Sequence, residues 1–540
     1  MTDSTLAAEL RPSAWSPLRY EVFRALWIAG LVSDIGAWMH QVGEGWLMTT
    51  LSHSPLLVAL LQSADSLAVF LFSIPAGAVA DVMDRRRLAI LTQAWLLVAA
   101  LCLGLLTLGG AITPWLLLTL SFVMNIGTAL DAPVWQAIVP DVVPRNDLSQ
   151  AVALGGVSIN IARAVAPALG GLLVAAVGPY AVFFLNATTF AFVILVLARW
   201  RPRRSKPTLP PERFAGAVLH GLRYVRHSPD LLSTFTGVGI VVFCGSSVLA
   251  LLPVYAQQEL SLDSAGYGLL YGCMGLGAIL SVALLPQVQK KLSADAVLVL
   301  ACIGFAAALV ALAGLRNPWW AGGAMLIGGV AWLSILTGLN VAVQAATPSW
   351  VRARVLSIYM VVFQGAIALG SVVWGALASK ANVRLSFLAS GAIMLLGALA
   401  GRRRWFKLSG RIPDLTPSLH WPKPVLVCTP SAEDGPVLVS VEYRVAPENQ
   451  TAFIRAGEHV RRRRQRSGGY DWQLFRDPAA PDRLIEVYMV DSWADHLRQH
   501  ERVTVDERNA EARWRKLFIP GTDLVATHLI AATAEPEPES

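Results

Sequence analysis

Residues 20–401 hold twelve apolar stretches, arranged as two sets of six that echo each other at one fixed offset. Pro144, Gly171 and Phe183 of the first set return as Pro348, Gly375 and Phe387 of the second. Each marks the same place in its half: a loop, the far part of a long apolar helix, and the start of the next. A helix needs about 20 residues to cross the hydrocarbon core. Stretches of that length lie near 22–48, 56–80, 88–110, 114–138, 149–177 and 179–199, then near 231–256, 265–287, 294–314, 318–343, 353–378 and 384–401. The pattern predicts an all-α membrane fold of twelve helices in two pseudo-symmetric halves. Rocking about the seam of such a bundle can move a solute across a bilayer.

Composition agrees. The chain is 55% hydrophobic and 15% charged, whereas a soluble domain carries about 25% charge. The five cysteines show no metal-ligand or redox spacing and read as small buried residues. The first twenty residues are mixed and polar, and the first apolar run carries Asp34, so the first helix is expected to act as its own insertion signal.

Loop charge predicts the orientation. One set of loops holds Arg85, Arg86, Arg87, Arg145, Arg199, Arg201, Arg203, Arg204, Lys206, Lys290, Lys291, Arg352, Arg354 and Arg402–Arg404. The alternate loops hold only Arg316, Lys380 and Arg384. The basic loops are expected in the cytoplasm, with both termini on the same side.

The expected domains are a terminal segment over 1–19, six-helix halves over 20–200 and 231–401, and a central loop over 201–230. A linker follows over 402–435, then a soluble domain over 436–531 and an acidic tail over 532–540. In the central loop, Phe214, Val218, Leu222, Tyr224 and Val225 alternate with Arg213, Arg223 and Arg226, which reads either as an amphipathic helix on the inner surface or as a solvated linker. In the soluble part, Val437, Val439, Val441, Tyr443 and Val445 share one face of a strand. The order β-α-β-β-α-β is the ferredoxin-like plan.

Gly77, Asp81, Asp84, Arg85, Arg86 and Arg87 follow the second helix. Gly77 is expected to let helices approach, and Asp81 to pair with an arginine or a helix N-terminus as a cytoplasmic latch between the halves. The run resembles the loop signature of the major facilitator superfamily, with Val82 where a basic residue is usual and Asp84 where glycine is usual. On the fifth helix, Asn160, Arg163, Ala166, Pro167, Gly170 and Gly171 resemble the bend motif of exporting members, with Ala166 in place of the usual glycine. The runs DAPVWQAIVPDVVPRNDLSQAVAL, NIARAVAPALGGLL and LVSDIGAWMHQVGEGWL are similar to the enterobactin-exporter-like branch, the transmembrane secretion effectors. That resemblance covers about residues 20–401. It implies a secondary exporter in a bacterial inner membrane, driven by a proton gradient and needing no cofactor, with a siderophore, drug or secondary metabolite as substrate.

Charges within spans are costly, at about 2.5–3.5 kcal/mol or more at mid-membrane unless paired or hydrated. Asp34, Asp65, Asp131 and Arg163 are therefore the candidates for proton coupling or substrate contact, with Asp34 the first choice for the protonated site and Arg163 as its partner. Asp34 and Arg163 stand at matching depth, and the resemblance makes their helices neighbours, so an ion pair is expected, either coupling or structural. Glu44 reads as a solvated residue near the outer surface. The second half carries no acid in mid-span.

In the soluble tail, VEYRV and SWADHLRQHERVT resemble the dimeric domains related to antibiotic-biosynthesis monooxygenases. His496 and His500 share a helix face, but no third ligand is evident, so no metal is expected. The run Arg461–Arg464 with Arg466 reads as solvated or lipid-facing, and no nucleic acid is expected. A regulatory, ligand-sensing or dimerising tail is the first reading. A catalytic tail, or a membrane sensor signalling through it, are the alternatives.

Overall fold

The computed structural model describes residues 13–200, 221–404, 414–422, 426–427, 429–522 and 524–532. Most of the N-terminal segment, most of the central loop including Arg213, Phe214 and Val218, and nearly all of the acidic tail lie outside the described residues, as do Cys428 and the side chains of Asp81 and Val82. The chain divides into two compact units. One comprises Met1–Pro210, Thr236–Leu339 and Met360–Leu408. The other comprises Pro211–Phe235, Asn340–Tyr359 and Ser409–Ser540.

Among the described residues, twelve helices are long and apolar enough to cross a membrane. They are α1 (Glu21–Leu51), α2 (Pro55–Val82), α3 (Arg85–Leu108), α4 (Pro114–Val142), α5 (Leu148–Ala176) and α6 (Pro179–Arg199), then α7 (Pro229–Val254), α8 (Ser264–Gln289), α9 (Ala294–Gly314), α10 (Pro318–Ala345), α11 (Arg352–Lys380) and α12 (Val383–Arg404). Their starts follow ordinary chemistry. Proline occupies the first helical position of α2, α4 and α6, where its missing N–H is not needed. Asp84, Thr113, Asp263 and Ser293 accept from backbone N–H groups in the first turns of α3, α4, α8 and α9.

Within the first half, α1 packs on α5 and α6, α2 on α4, and α3 on α4 and α6. Between the halves, α5 lies along α8. Small residues set that spacing. A side chain on Gly170 would meet the Met39 backbone at 2.9 Å, and one on Gly171 would meet the Gly268 Cα at 2.9 Å. The two adjacent glycines thus serve different neighbours, α1 of their own half and α8 of the other. Pro167 has no N–H for the Arg163 carbonyl. Gly275 of α8 lies against that carbonyl, where any side chain would collide with it.

The described contacts between halves lie mostly toward the ends opposite the arginine-rich loops. Ser63 donates to the Ala368 carbonyl at 2.9 Å, Gly375 packs against Ala59 and Leu56, and Trp46 stacks with Tyr267 at 6.2 Å. On that side Glu259 pairs with Arg384 at 2.6 Å and Arg316 at 3.2 Å. Two of the three cations on the sparse side thus share one carboxylate, which offsets one of their two charges.

The soluble fold has strands β1 (Val437–Arg444), β2 (Tyr470–Asp477), β3 (Ala480–Val490) and β4 (Val525–Ile530), with helices α13 (Gln450–Arg466), α14 (Trp493–Arg502) and α15 (Val505–Arg515). The sheet order is β2-β3-β1-β4, all antiparallel. β1 buries Val437, Val439, Val441 and Tyr443 on one face, as its alternation predicts. These pack against Phe453, Trp493 and Trp514 from the helices. Part of the expected linker is structured: Ser418 N–H donates to the Val503 carbonyl, and Val505 N–H to the Thr416 carbonyl. Residues 414–422 therefore form a strap along the α14–α15 corner.

Candidate functional site

Three helices of the first half bring polar side chains together toward the seam. Asp65 of α2 accepts from Asn125 Nδ2 of α4 at 2.8 Å, and Asn125 also donates to the Ser121 carbonyl one turn away. Ser121 Oγ donates to Glu44 of α1 at 2.5 Å, and His40 Nε2 lies 3.2 Å from Glu44. One chain of polar groups therefore joins two carboxyls, Glu44 and Asp65, across α1, α4 and α2. Glu44 is 3% exposed, so the expectation of a solvated surface residue is corrected. The reason is helix phase: Glu44 follows His40 by four residues and faces α4 rather than the loop. Sequence reasoning missed both residues. Their spacing of four was the available signal.

A cavity of about 20 Å³ adjoins Asp65, between Gln41 of α1, Gln62 of α2, Pro253 of α7, and Tyr267 and Tyr271 of α8. That is room for one water. The cavity touches both halves. Asp65 is therefore the acidic candidate at the seam.

Asp34 stands elsewhere. It accepts from Ser158 Oγ of α5 at 3.0 Å. The expected pair with Arg163 is not formed. The Arg163 guanidinium lies over the Trp38 ring at 5.4 Å, and Trp38 meets Tyr271 edge-on at 5.9 Å. Depth alone suggested the pair. Five residues separate Ser158 from Arg163, which turns the arginine about 140° round the helix from the face that meets Asp34. Asp131 accepts from Thr92 at 2.6 Å and Gln93 at 3.0 Å, which ties α4 to α3. Asn160 bonds back to the Gly156 carbonyl of its own helix.

The basic cluster after α2 works inside the first half. Arg85 pairs with Asp141 of α4 at 2.8 Å. Arg86 donates to the Leu197 and Ala198 carbonyls at 2.8 and 2.6 Å, capping the end of α6. Among the described residues, these bonds stay within the first half and do not latch it to the second. Among the described residues, a side chain on Gly77 would meet nothing within 4 Å, so the close approach expected there is not found among them.

In the soluble domain, a cavity of about 520 Å³ is walled by Trp421, Tyr488, Trp514 and Phe518, with Arg464, His500 and Glu511 among its polar groups. Arg464 is 8% exposed, which corrects for this one residue the reading of its run as solvated or lipid-facing, while Arg461 and Arg462 are exposed. It shares a helix face with Phe453, Gly457 and Val460. Its guanidinium pairs with the fully buried Glu486 at 3.0 Å, and Trp472 and Tyr443 donate to the same carboxylate. Burial opposes the Arg464 charge, but Glu486 and Glu511 hold the group above its ordinary range. Burial also pushes the His496 imidazole down to about 3, aided by His528, His500 and Arg464. His528, on β4, joins His496 and His500, a third imidazole that sequence spacing could not disclose.

Twelve helices in two halves, with a polar cluster at their seam, define a transporter of the major facilitator type. Solved structures share that fold. A bacterial homologue of the human lysosomal transporter Spinster, in an inward-facing and unoccupied conformation, aligns with a TM-score of 0.59 at 17% identity, over 73% of this chain and 98% of its own. The nucleoside transporter NupG aligns with a TM-score of 0.52 at 14% identity, over 71% of this chain and 98% of its own.

The chain belongs to the transmembrane secretion effector family, whose pattern matches residues 12–536 and so runs through the soluble domain as well. It is 26% identical to the enterobactin exporter EntS of Shigella boydii, over 70% of this chain and 91% of that protein. It is 26% identical to the staphyloferrin A transporter of Staphylococcus aureus, over 47% of this chain and 64% of that protein.

Proposed function

We propose that the protein exports a small amphipathic molecule, of the siderophore class first, in exchange for protons and by alternating access. The observation that carries this reading is the chain Glu44–Ser121–Asn125–Asp65, which ends at the seam between the halves. Carboxyls in hydrocarbon persist when neutral, paired or hydrated, so a group that alternates between these conditions can carry a proton. Movement at the seam changes the surroundings of Asp65 directly. The seal between halves opposite the arginine-rich loops supports a state open toward those loops, and the charge bias supports those loops and both termini being cytoplasmic in a bacterial inner membrane. The relatives named for siderophore export and transport support the substrate class. Asp34 stays a second coupling candidate, held by Ser158.

The test is uptake of a catecholate or carboxylate siderophore into everted vesicles under an imposed proton gradient. Asp65→Asn and Glu44→Gln are expected to lower gradient-driven uptake at least tenfold while counterflow exchange persists. Gradient-driven uptake unchanged in both variants would sink the coupling role.

A second reading concerns the soluble domain. The Arg502 guanidinium lies 4.2 Å from the Trp350 ring, beside the start of α11, and Arg466 lies 5.5 Å from the Tyr224 ring, ahead of α7. These contacts favour a domain that regulates transport. Trp350→Ala with Tyr224→Ala is expected to change the transport rate with the soluble domain intact. An unaltered rate would count against regulation.

A further inference from the structure

We propose that His496, His500 and His528 form a binding site for a divalent transition-metal ion, zinc first. His496 and His500 stand on consecutive turns of α14, and His528 stands on β4, where it pairs in register with Val439 of β1. Their ligand nitrogens all lie within 4.8 Å of one another. The His496 and His500 Nε2 atoms are 3.3 Å apart. Two nitrogens bound tetrahedrally at about 2.0–2.1 Å from zinc are separated by about 3.3–3.4 Å, so this edge already has the span of a zinc site. Closing the third ligand needs a small rotation of the His528 ring, which is half-buried and has room toward the cavity.

The alternative is an aromatic cluster, since Trp493 also packs against His496 and His528. Two observations favour the metal. His496 is 1% exposed, and the partner its Nε2 has among the described residues is the His500 Nε2, so an ion between the two nitrogens would engage both at once. A packing role would be filled better by phenylalanine, because a buried imidazole whose Nδ1 has no partner among the described residues costs free energy. His500 is also held edge-on against the Trp421 ring of the strap, with centroids 5.3 Å apart, a contact that fixes the orientation of the imidazole. Arg464, whose charge acts on His496 and His500, is offset by Glu486 and Glu511 and so does not exclude a bound ion. Imidazole donors suit zinc, copper, nickel or iron(II) and disfavour calcium and magnesium. Three protein ligands leave a fourth position facing the 520 Å³ cavity, open to water or to a donor atom of a cavity ligand.

The experiment uses the full chain in detergent, carrying an affinity tag free of histidine and stripped with chelator, titrated with Co²⁺ and then Zn²⁺. One equivalent of Co²⁺ is expected to produce the intense visible bands of a four-coordinate ion, and Zn²⁺ to abolish them. His528→Gln and His500→Gln, at half-buried positions, are each expected to weaken binding at least tenfold. His459→Gln, on the exposed face of α13, is expected to leave it unchanged. Absent bands, or equal affinity in His528→Gln, would overturn the proposal. This readout is independent of transport, so it stands or falls apart from the export reading.

Discussion

Gly171 of α5 and Gly268 of α8 face each other so closely that a methyl on Gly171 would lie 2.9 Å from the Gly268 Cα. The two halves of the transporter therefore meet backbone to backbone at this point. Lipid supplies no hydrophobic drive between helices, so close packing of small residues holds such a seam. Overpacking costs about 1–3 kcal/mol, enough to shift an equilibrium between arrangements of the halves by about tenfold or more. Gly268→Val is expected to lower transport at least tenfold with normal membrane insertion, as measured by vesicle flux per inserted protein. Wild-type flux would show that the seam tolerates separation.

Asp34 and Arg163 have separate partners, Ser158 and Trp38. Groups without a shared contact act nearly additively, within about 0.3–0.5 kcal/mol. A double-mutant cycle with Asp34→Asn and Arg163→Gln, read as thermal stability in detergent, is expected to show a coupling energy inside that range. A coupling above about 1 kcal/mol would restore the ion pair.

In the soluble domain, Glu486 is fully buried and depends on Arg464. Removing one member of a buried pair costs about 3–5 kcal/mol, because the other charge is left uncompensated. Arg464→Met is expected to destabilise the domain by that amount in urea unfolding. Adding Glu486→Gln, which keeps an acceptor for Trp472 and Tyr443, is expected to recover more than half of the loss.

Glu511 joins the strap to the helices, accepting from His420 at 2.9 Å and Trp421 at 3.2 Å. Burial alone would raise its carboxyl, but His420, Arg464 and Trp421 together hold it below its usual range. A depressed carboxyl contributes stability above its unfolded value, and that stability is lost as pH falls through the folded one. Hydrogen exchange at the Ser418 and Val505 amides is expected to accelerate as pH falls below about 4.5, after correction for the intrinsic rate. Glu511→Gln should be fast at neutral pH and flat below it.

The membrane helices were legible because their signal is local: length and apolarity decide which segments enter lipid, and Arg85, Arg86 and Lys290 bias the loops. The alternation of Val437 to Val445 announced the first strand for the same reason. The partners of individual side chains were less legible. Glu44 looked exposed by its place near a helix end, yet its phase turns it toward Ser121. Arg464 looked solvated within a basic run, yet it shares a face with Phe453 and Val460.

From its own order of residues, the chain determined twelve crossings, two related halves, a basic side and an α+β tail, because periodicity and hydropathy act over one helix or strand at a time. Only the tertiary structure decided that Asp65 rather than Asp34 stands at the seam, that Gly170 and Gly171 serve different helices, and that His528 completes a trio with His496 and His500. Those facts depend on rotation about helix axes and on strand register, which bring together residues far apart in the chain and which no local pattern encodes.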